Sequence, residues 1–180
     1  MIVFINGPFG VGKTTVARLL VQRMPLATMY DPEIIGGVLR RVLSPLAKVE
    51  DYQDITLWRR LVVGGARLIR TVSGRPLVVP MTVWKRNVFD HIAAGLGRVD
   101  GDLSCFRLTA PEHVLIDRIS SDTEDEDAYY WRASHVGVCL RALDDPAFGK
   151  EIRTEGLAPA AVADQILENL PLYAGWSGSR

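Results

Sequence analysis

The sequence has no excess charge of either sign, few cysteines and histidines, and no long uncharged apolar run. Its 180 residues contain 21 Lys and Arg against 21 Asp and Glu, so no net field attracts DNA, RNA or anionic lipid. The two cysteines, Cys105 and Cys139, are too few for a disulfide framework, and the three histidines lack the spacing of zinc ligands. The longest apolar-rich stretch, 55–72, contains four arginines, which excludes a membrane span. These absences predict a cytoplasmic protein with no nucleic-acid partner and no membrane-spanning segment.

The length and the hydrophobic content indicate one folded unit. Hydrophobic residues make up 48% of the chain, close to the average of soluble globular proteins, and no repetitive polar tract suggests disorder. A chain of 180 residues is short for two domains. We therefore expect a single domain over residues 1–180.

Short apolar runs alternate with stretches of helical spacing. The runs have the pattern of strands buried on both faces of a parallel sheet, at 2–5, 26–30, 77–81, 103–108 and 151–154. The helical stretches lie at 14–24, 32–43, 52–72, 88–96, 111–119, 135–143 and 159–170. This alternation predicts a three-layer α/β fold, in which helices cover both faces of a five-stranded parallel sheet.

Two connections are longer than the alternation requires. One carries two helical stretches between the second and third runs, and the other carries an acidic segment, 122–127, before the fifth run. Additional segments at strand ends commonly bind substrates or cover a site. We expect a substrate-binding helical insertion over 32–73 and a helical lid over 120–135.

A glycine-rich motif follows the first predicted strand and opens the first predicted helix. It fits the pattern G-x-x-x-x-G-K-[ST] and is called the phosphate loop below: Gly7, Pro8, Phe9, Gly10, Val11, Gly12, Lys13 and Thr14. Glycines let backbone N–H groups turn toward a phosphate, and the following helix directs its positive end at the same anion. The motif predicts binding of a nucleoside triphosphate.

The polar residues of the phosphate loop have separate expected roles. Lys13 reaches the β and γ phosphates, the Thr14 hydroxyl binds Mg²⁺, and Thr15 touches the α phosphate. A dinucleotide-binding loop would carry a third glycine where this chain has Lys13, Thr14 and Thr15. Nicotinamide cofactors are therefore disfavoured.

An acidic residue follows the second predicted strand and none follows the third. The third strand ends at 79–82 without a carboxylate, which disfavours an NTPase that activates water. Asp31 ends the second strand, where a carboxylate could position an acceptor hydroxyl or help to hold Mg²⁺. The alternative role of Asp31 is to cap the helix that begins near Pro32.

Taken together, these features resemble the tunicamycin-resistance protein family, within the P-loop small-molecule and nucleoside-monophosphate kinases. The resemblance covers nearly the whole chain and rests on 5–14, 30–33, 57–59, 79–82, Trp131 and Cys139. It implies a five-stranded kinase-like core, ATP as the nucleotide, and resistance to a nucleoside antibiotic, by phosphorylating the antibiotic or by binding it.

The same resemblance implies arginines near the phosphates. The segment 108–118 is similar to the family's first arginine-bearing piece, which would place Arg118 beside the adenine or the phosphates. A second arginine is expected one turn later, where this chain has Asp122. Arg132 is the remaining candidate in the lid, and its alternative is an exposed ion pair with the acidic segment, of little energetic weight.

Residues that could contact the acceptor lie in the insertion or at the edge of the crevice. Aromatic, guanidinium and thioether groups there could hold a sugar or a base, and the candidates are Arg40, Trp58, Arg59, Met81 and Trp84. Each could equally be structural, because Trp58 belongs to the apolar stripe of its helix.

The sequence leaves three functions open. The leading one is an ATP- and Mg²⁺-dependent phosphotransferase that acts on a hydroxyl of a small, nucleoside-antibiotic-like molecule. The others are a protein that sequesters the antibiotic with ATP but without chemistry, and a nucleoside-monophosphate kinase. The oligomeric state is not predicted.

Overall fold

A parallel sheet of five strands lies at the centre of the fold, in a computed structural model that describes residues 1–32, 56–122 and 126–171. The strands are β1 (Ile2–Asn6), β2 (Thr28–Met29), β3 (Leu77–Pro80), β4 (Leu103–Thr109) and β5 (Lys150–Arg153). Their order across the sheet is β2-β3-β1-β4-β5, and every neighbouring pair is parallel. The five-stranded parallel sheet predicted from the sequence is confirmed.

Six helices of the described residues surround the sheet. They are α1 (Lys13–Arg23), α2 (Thr56–Ser73), α3 (Arg86–Val99), α4 (Glu112–Asp122), α5 (Glu126–Leu143) and α6 (Pro159–Glu168). Helix α1 packs against α6, α2 packs against α3, and α4 packs against α5, which gives the three layers that were expected. In these ranges, no helix has both the length and the apolar composition needed to cross a membrane.

The central strand β1 is buried along its whole length. Ile2 to Ile5 have no exposed surface, as expected for a strand covered on both faces. The Phe4 ring stacks on Phe89 of α3, with centroids 5.5 Å apart, and Phe89 contacts Phe148 at 4.9 Å. Burial of this central strand fixes the position of the loop that follows it.

Two elements differ most from the boundaries predicted from the sequence. Strand β2 has two residues rather than 26–30, because Leu26 adopts a left-handed backbone (φ 62°) and is 69% exposed, as in a turn. Helix α5 begins at Glu126 rather than at 135. The predicted helix 32–43 falls mostly outside the described residues. The insertion 32–73 and the lid 120–135 stay predictions, since 33–55 and 123–125 also lie outside them.

The two cysteines are not joined in a disulfide, as the sequence indicated. Cys139 is fully buried and Cys105 is partly buried in β4. Burial raises the pKa of the Cys105 thiol to about 11, so this thiol is protonated at neutral pH.

Asp100, at the C-terminal end of α3, forms hydrogen bonds to α2 and to the amino group of Met1. Its carboxylate accepts hydrogen bonds from Arg70 of α2, from the amino group of Met1 and from the Asp102 amide, the last at 3.1 Å. Partial burial would raise the pKa of Asp100, but the three hydrogen bonds outweigh burial and lower it. The charged form of Asp100 therefore stabilises the fold.

Replacing Asp100 with asparagine is expected to cost about 1–3 kcal/mol of unfolding free energy at pH 7, because charge-assisted hydrogen bonds are lost. The folded pKa is lower than the unfolded value of about 3.9. The stabilisation is therefore complete above that value and disappears as the pH falls through the folded pKa. Urea unfolding between pH 7 and pH 3 measures the effect, with the exposed Asp117→Asn on α4 as the control. An equal cost at both ends of the pH range would contradict this assignment.

Candidate functional site

The phosphate loop connects the buried end of β1 to the first turn of α1. Gly12 caps α1 with a left-handed backbone (φ 92°), and its carbonyl accepts the Val16 N–H at 3.0 Å. A Cβ built on Gly12 would meet no atom within 4 Å. The start of α1 therefore leaves free space beside its N-terminal amides, as an anion-binding loop requires.

At Gly10, the phosphate loop packs tightly against helix α4. Gly10 also has a left-handed backbone (φ 74°), and a Cβ there would lie 2.7 Å from the Leu115 carbonyl oxygen and 2.9 Å from Cγ1 of Ile119. The Leu115 carbonyl belongs to a helix backbone and cannot move aside as a side chain would. Glycine is therefore required at position 10 both by conformation and by space.

We expect Gly10→Ala to destabilise the fold by about 2–5 kcal/mol, the cost of a strained backbone plus overpacking against α4. Gly12→Ala is the matched control, because it has the same backbone strain but open space around its Cβ, and it should cost only about 1–2 kcal/mol. Urea unfolding of both variants measures the difference. Equal losses would show that α4 does not press on the loop.

The Lys13 ammonium lies inside the phosphate loop. Its Nζ donates a hydrogen bond to the Pro8 carbonyl at 3.0 Å, and the residue is only 8% exposed. The same Nζ lies 5.7 Å from the centre of the Phe9 ring. A buried ammonium so close to open helix amides is suited to a polyanionic ligand.

Thr14 and Thr15 occupy the first turn of α1. Thr14 is partly exposed and Thr15 is exposed, so neither hydroxyl is buried in the core. Within residues 1–32, 56–122 and 126–171, no group of three or more His, Cys, Asp or Glu could hold a metal ion. A magnesium ion at Thr14 would have phosphate oxygens and water among its other ligands, which Mg²⁺ prefers.

Asn6 is a positioning residue that the sequence interpretation missed. Its fully buried side chain accepts the Gly7 N–H at 2.8 Å and the Val83 N–H at 2.9 Å, and it donates to the Val83 carbonyl at 2.9 Å. One amide thus joins the start of the phosphate loop to the segment after β3. The feature of the sequence that could have indicated this role is an amide side chain at the end of an otherwise apolar strand.

Asp31 is held between two anchored neighbours. The Tyr30 hydroxyl donates to the Leu61 carbonyl at 3.3 Å, and the Trp58 indole N–H donates to the Pro32 carbonyl at 3.4 Å. Both Leu61 and Trp58 belong to α2, so α2 determines where the backbone places Asp31. Burial, and to a lesser extent the charge of Asp31, raise the pKa of Tyr30 to about 12, so Tyr30 is a neutral hydroxyl.

The predicted acceptor residues have different surroundings. Trp58 is fully buried and bonded to the Pro32 carbonyl, which favours its alternative role in core packing. Met81 is also fully buried, and its N–H donates to the Ile5 carbonyl at 3.0 Å. Arg59 is partly exposed on α2, and Arg40 lies outside the described residues.

The strand order separates Asp31 from the phosphate loop by one strand. Strand β3 lies between β2 and β1, so the two ends are about 10 Å apart, or two inter-strand spacings. The end of β3 and the Asn6-bound segment after it lie between them. A small molecule that contacts both Asp31 and the loop would therefore lie across this segment, at the carboxyl edge of the sheet.

On the other side of the loop, a cavity of 220 Å³ lies at the ends of β4 and β5. It is lined by Thr109, Ala110, Pro111, Arg153 and Glu155. Arg118 lies at this end of the sheet, because it donates to the hydroxyl of Thr154 at 3.0 Å and to the carbonyl of Thr154 at 3.1 Å. The structure thus brings Arg118 to the side of the loop that is opposite to Asp31.

Arg132 is an exposed residue of α5. It follows Trp131, whose ring lies 5.2 Å from the Phe9 ring of the phosphate loop. The helix that carries Arg132 therefore contacts the loop directly.

The comparisons with known proteins agree with this geometry. Residues 3–136 match the family model described as an AAA domain. The chain belongs to the AAA domain family. No curated protein matches the sequence of this AAA domain protein at a significant level.

Solved structures extend the likeness of this AAA domain protein to nearly the whole chain. A tunicamycin resistance protein from Deinococcus radiodurans is 27% identical, with a TM-score of 0.74 over 93% of this chain and 94% of that one. A sugar kinase from Janibacter (18% identity, TM-score 0.69, 96% of each chain) shares the fold. A gluconokinase from Sinorhizobium meliloti also shares the fold, with 18% identity and a TM-score of 0.63 over 97% of each chain. The resemblance inferred from the sequence and the kinase-like fold are confirmed.

Proposed function

We propose that this AAA domain protein binds ATP with Mg²⁺ and transfers the γ-phosphoryl group to a hydroxyl of a small molecule. Tunicamycin or a related nucleoside antibiotic is the proposed acceptor, by analogy with the resistance protein that it resembles. The observation that carries the proposal is the buried Lys13 ammonium in the phosphate loop, with the anchored Asp31 across one strand. A cytoplasmic location, where ATP is abundant, is part of the proposal.

The residues on the loop side bind and orient the nucleotide. The loop amides and Lys13 hold the β and γ phosphates, and Thr15 lies near the α phosphate. The Thr14 hydroxyl would hold Mg²⁺, which would supply positive charge to compensate the phosphates. The cavity beside Arg118 is suited to the base, because its lining includes the apolar surfaces of Ala110 and Pro111.

The residues on the acceptor side orient the attacking hydroxyl. Asp31 accepts a hydrogen bond from this hydroxyl and finally its proton, while a bond forms between the hydroxyl oxygen and the γ phosphorus. The bond between that phosphorus and the β–γ bridging oxygen breaks, and ADP leaves with the electron pair. Arg132 offers a cation for the charge that develops on the transferred group. Arg40 and Arg59 remain candidates for contact with the acceptor.

A panel assay tests the proposal. The protein is incubated with Mg-ATP and a range of nucleoside antibiotics, and mass spectrometry detects products that have gained one phosphoryl group. Ordinary nucleoside monophosphates belong in the same panel, because rapid ADP formation with one of them would identify a nucleoside-monophosphate kinase instead. No phosphorylated product across a broad panel counts against a transferase.

A sequestering protein is the second candidate, and the charges near the loop favour it. Position 122 carries an aspartate where a second arginine is expected, and Arg118 is hydrogen-bonded to Thr154. Fewer cations are then available to compensate the negative charge of the transferred phosphoryl group. This candidate predicts tight, ATP-dependent binding of an antibiotic, measured by calorimetry, without any product.

A further inference from the structure

Four aromatic rings from three parts of the chain form one group beside the phosphate loop. This aromatic cluster consists of Phe9 in the loop, Trp84 after β3, and Trp131 and His135 on α5. Phe9 meets Trp131 and Trp84 edge-on, at centroid distances of 5.2 and 6.1 Å. His135 lies 4.5 Å from Trp131 and 5.8 Å from Trp84. These distances are in the range of favourable ring contacts, so the cluster joins α5 to the loop.

The loop end of the cluster adjoins the proposed reacting group. The centre of the Phe9 ring lies 5.7 Å from the Lys13 ammonium and 5.2 Å from the centre of the Trp131 ring. The residue before Phe9 supplies the carbonyl that accepts the Lys13 hydrogen bond. A change in the position of this ammonium therefore alters its contacts with Pro8 and with the neighbouring Phe9 ring.

The remaining two rings are held in place by hydrogen bonds. Asn6 binds the backbone of Val83, the residue before Trp84. His135 has its Nδ1 2.7 Å from the Trp131 carbonyl oxygen, and since that oxygen can only accept, Nδ1 carries the proton. The His135 ring is thus oriented as a brace for Trp131.

We infer that Trp131 is a positioning residue, which through Phe9 holds α5, and with it Arg132, in register with the phosphate loop. Phosphate oxygens form stronger hydrogen bonds with an ammonium than a neutral carbonyl does, so bound phosphate competes with Pro8 for Lys13. When phosphate draws the Lys13 ammonium away from the Pro8 carbonyl, the aromatic cluster transmits this displacement to α5. The inference rests on the proposed nucleotide site, and it adds a residue that touches neither nucleotide nor acceptor.

Tryptophan fluorescence tests the transmission without requiring turnover. ATP added to the wild-type protein without acceptor is expected to change the tryptophan emission. Trp131→Phe keeps an aromatic ring but removes this indole, and it should lose most of the change while calorimetry finds the ATP Kd within about threefold of wild type, as for a residue outside the binding contacts. Tyr130→Ala is the matched control, because Tyr130 is the neighbouring residue on α5, is 66% exposed and lies outside the cluster, and it should keep the change.

Kinetics test the positioning. Trp131→Ala is expected to lower kcat by about 10–100-fold, the effect of a small misplacement of reacting groups, with the ATP affinity nearly unchanged. Trp131→Phe should restore most of kcat, and Tyr130→Ala should behave as wild type. If Trp131→Ala does not fold, Phe9→Leu removes the same contact from the other side and should give the same loss of kcat.

The outcomes separate this inference from the proposed function. A wild-type protein that binds ATP with no change in emission overturns the inference and leaves the nucleotide site intact. An unchanged kcat in both Trp131→Ala and Phe9→Leu, or a loss of ATP affinity as large as that of Lys13→Ala, also overturns it. A wild-type protein that binds no ATP overturns both proposals.

Discussion

Replacing Lys13 with alanine is expected to lower phosphoryl transfer by about 10²–10³-fold, the usual cost of removing one preorganised charge from a transferring group. The structure gives the reason, since Lys13 is only 8% exposed and its ammonium is hydrogen-bonded inside the phosphate loop. In such surroundings water cannot replace the lost charge. Steady-state kinetics with the acceptor found in the panel assay, together with calorimetry of ATP binding, measure the effect.

The matched control for this variant is Lys150→Ala. Lys150 is exposed at the start of β5, where its ammonium contacts Asn169. Strand β5 lies at the edge of the sheet and is separated by β4 from β1, the strand that the phosphate loop follows. This control should retain wild-type activity. If Lys13→Ala were as active as Lys150→Ala, the phosphate loop would not be the nucleotide site and the proposed function would be abandoned.

Replacing Asp31 with asparagine is expected to lower kcat by about 10²–10⁴-fold, the range for removal of a positioned general base. The change preserves shape, and the two backbone anchors on either side, Tyr30 to Leu61 and Pro32 to Trp58, are unaffected. Nucleotide affinity should therefore remain near the wild-type value. Comparison of kcat, acceptor KM and ATP Kd for the two proteins measures the effect.

The same variant separates the catalytic role of Asp31 from a helix cap. Asparagine caps helices as well as aspartate does, so a capping role predicts no loss of activity or stability in Asp31→Asn. Asp31→Ala would then lower the free energy of unfolding by about 1 kcal/mol. In cells, antibiotic resistance that survives Asp31→Asn would favour sequestration over transfer.

Much of the fold follows from local pattern. The apolar runs at β1 and β3 are buried at every residue, as their composition predicts. The second strand is shorter than its apolar run because Leu26 turns the chain with a positive φ, which composition does not reveal. Thr109 and Glu112 have the spacing of a capping box, yet Thr109 ends β4 and its hydroxyl donates to Glu151 of β5 at 2.9 Å.

The phosphate loop could be recognised from the sequence because its chemistry requires glycines and a lysine at one fixed spacing. The surroundings of other site residues could not. Trp58 has the spacing of both a core residue and a ligand-stacking one, and only its full burial and its hydrogen bond to Pro32 favour the first. In the sequence, His135 is simply a polar residue within a predicted helix, but in the structure its ring is part of the aromatic cluster.

Taken alone, the sequence determines the parallel α/β architecture and the phosphate loop, because strand burial, helix periodicity and the loop pattern are properties of consecutive residues. Only the tertiary structure decided that Asn6 binds Val83, that Phe9 meets Trp131 and that Arg118 reaches Thr154. These pairs lie far apart along the chain, and strand order together with helix packing brings them into contact.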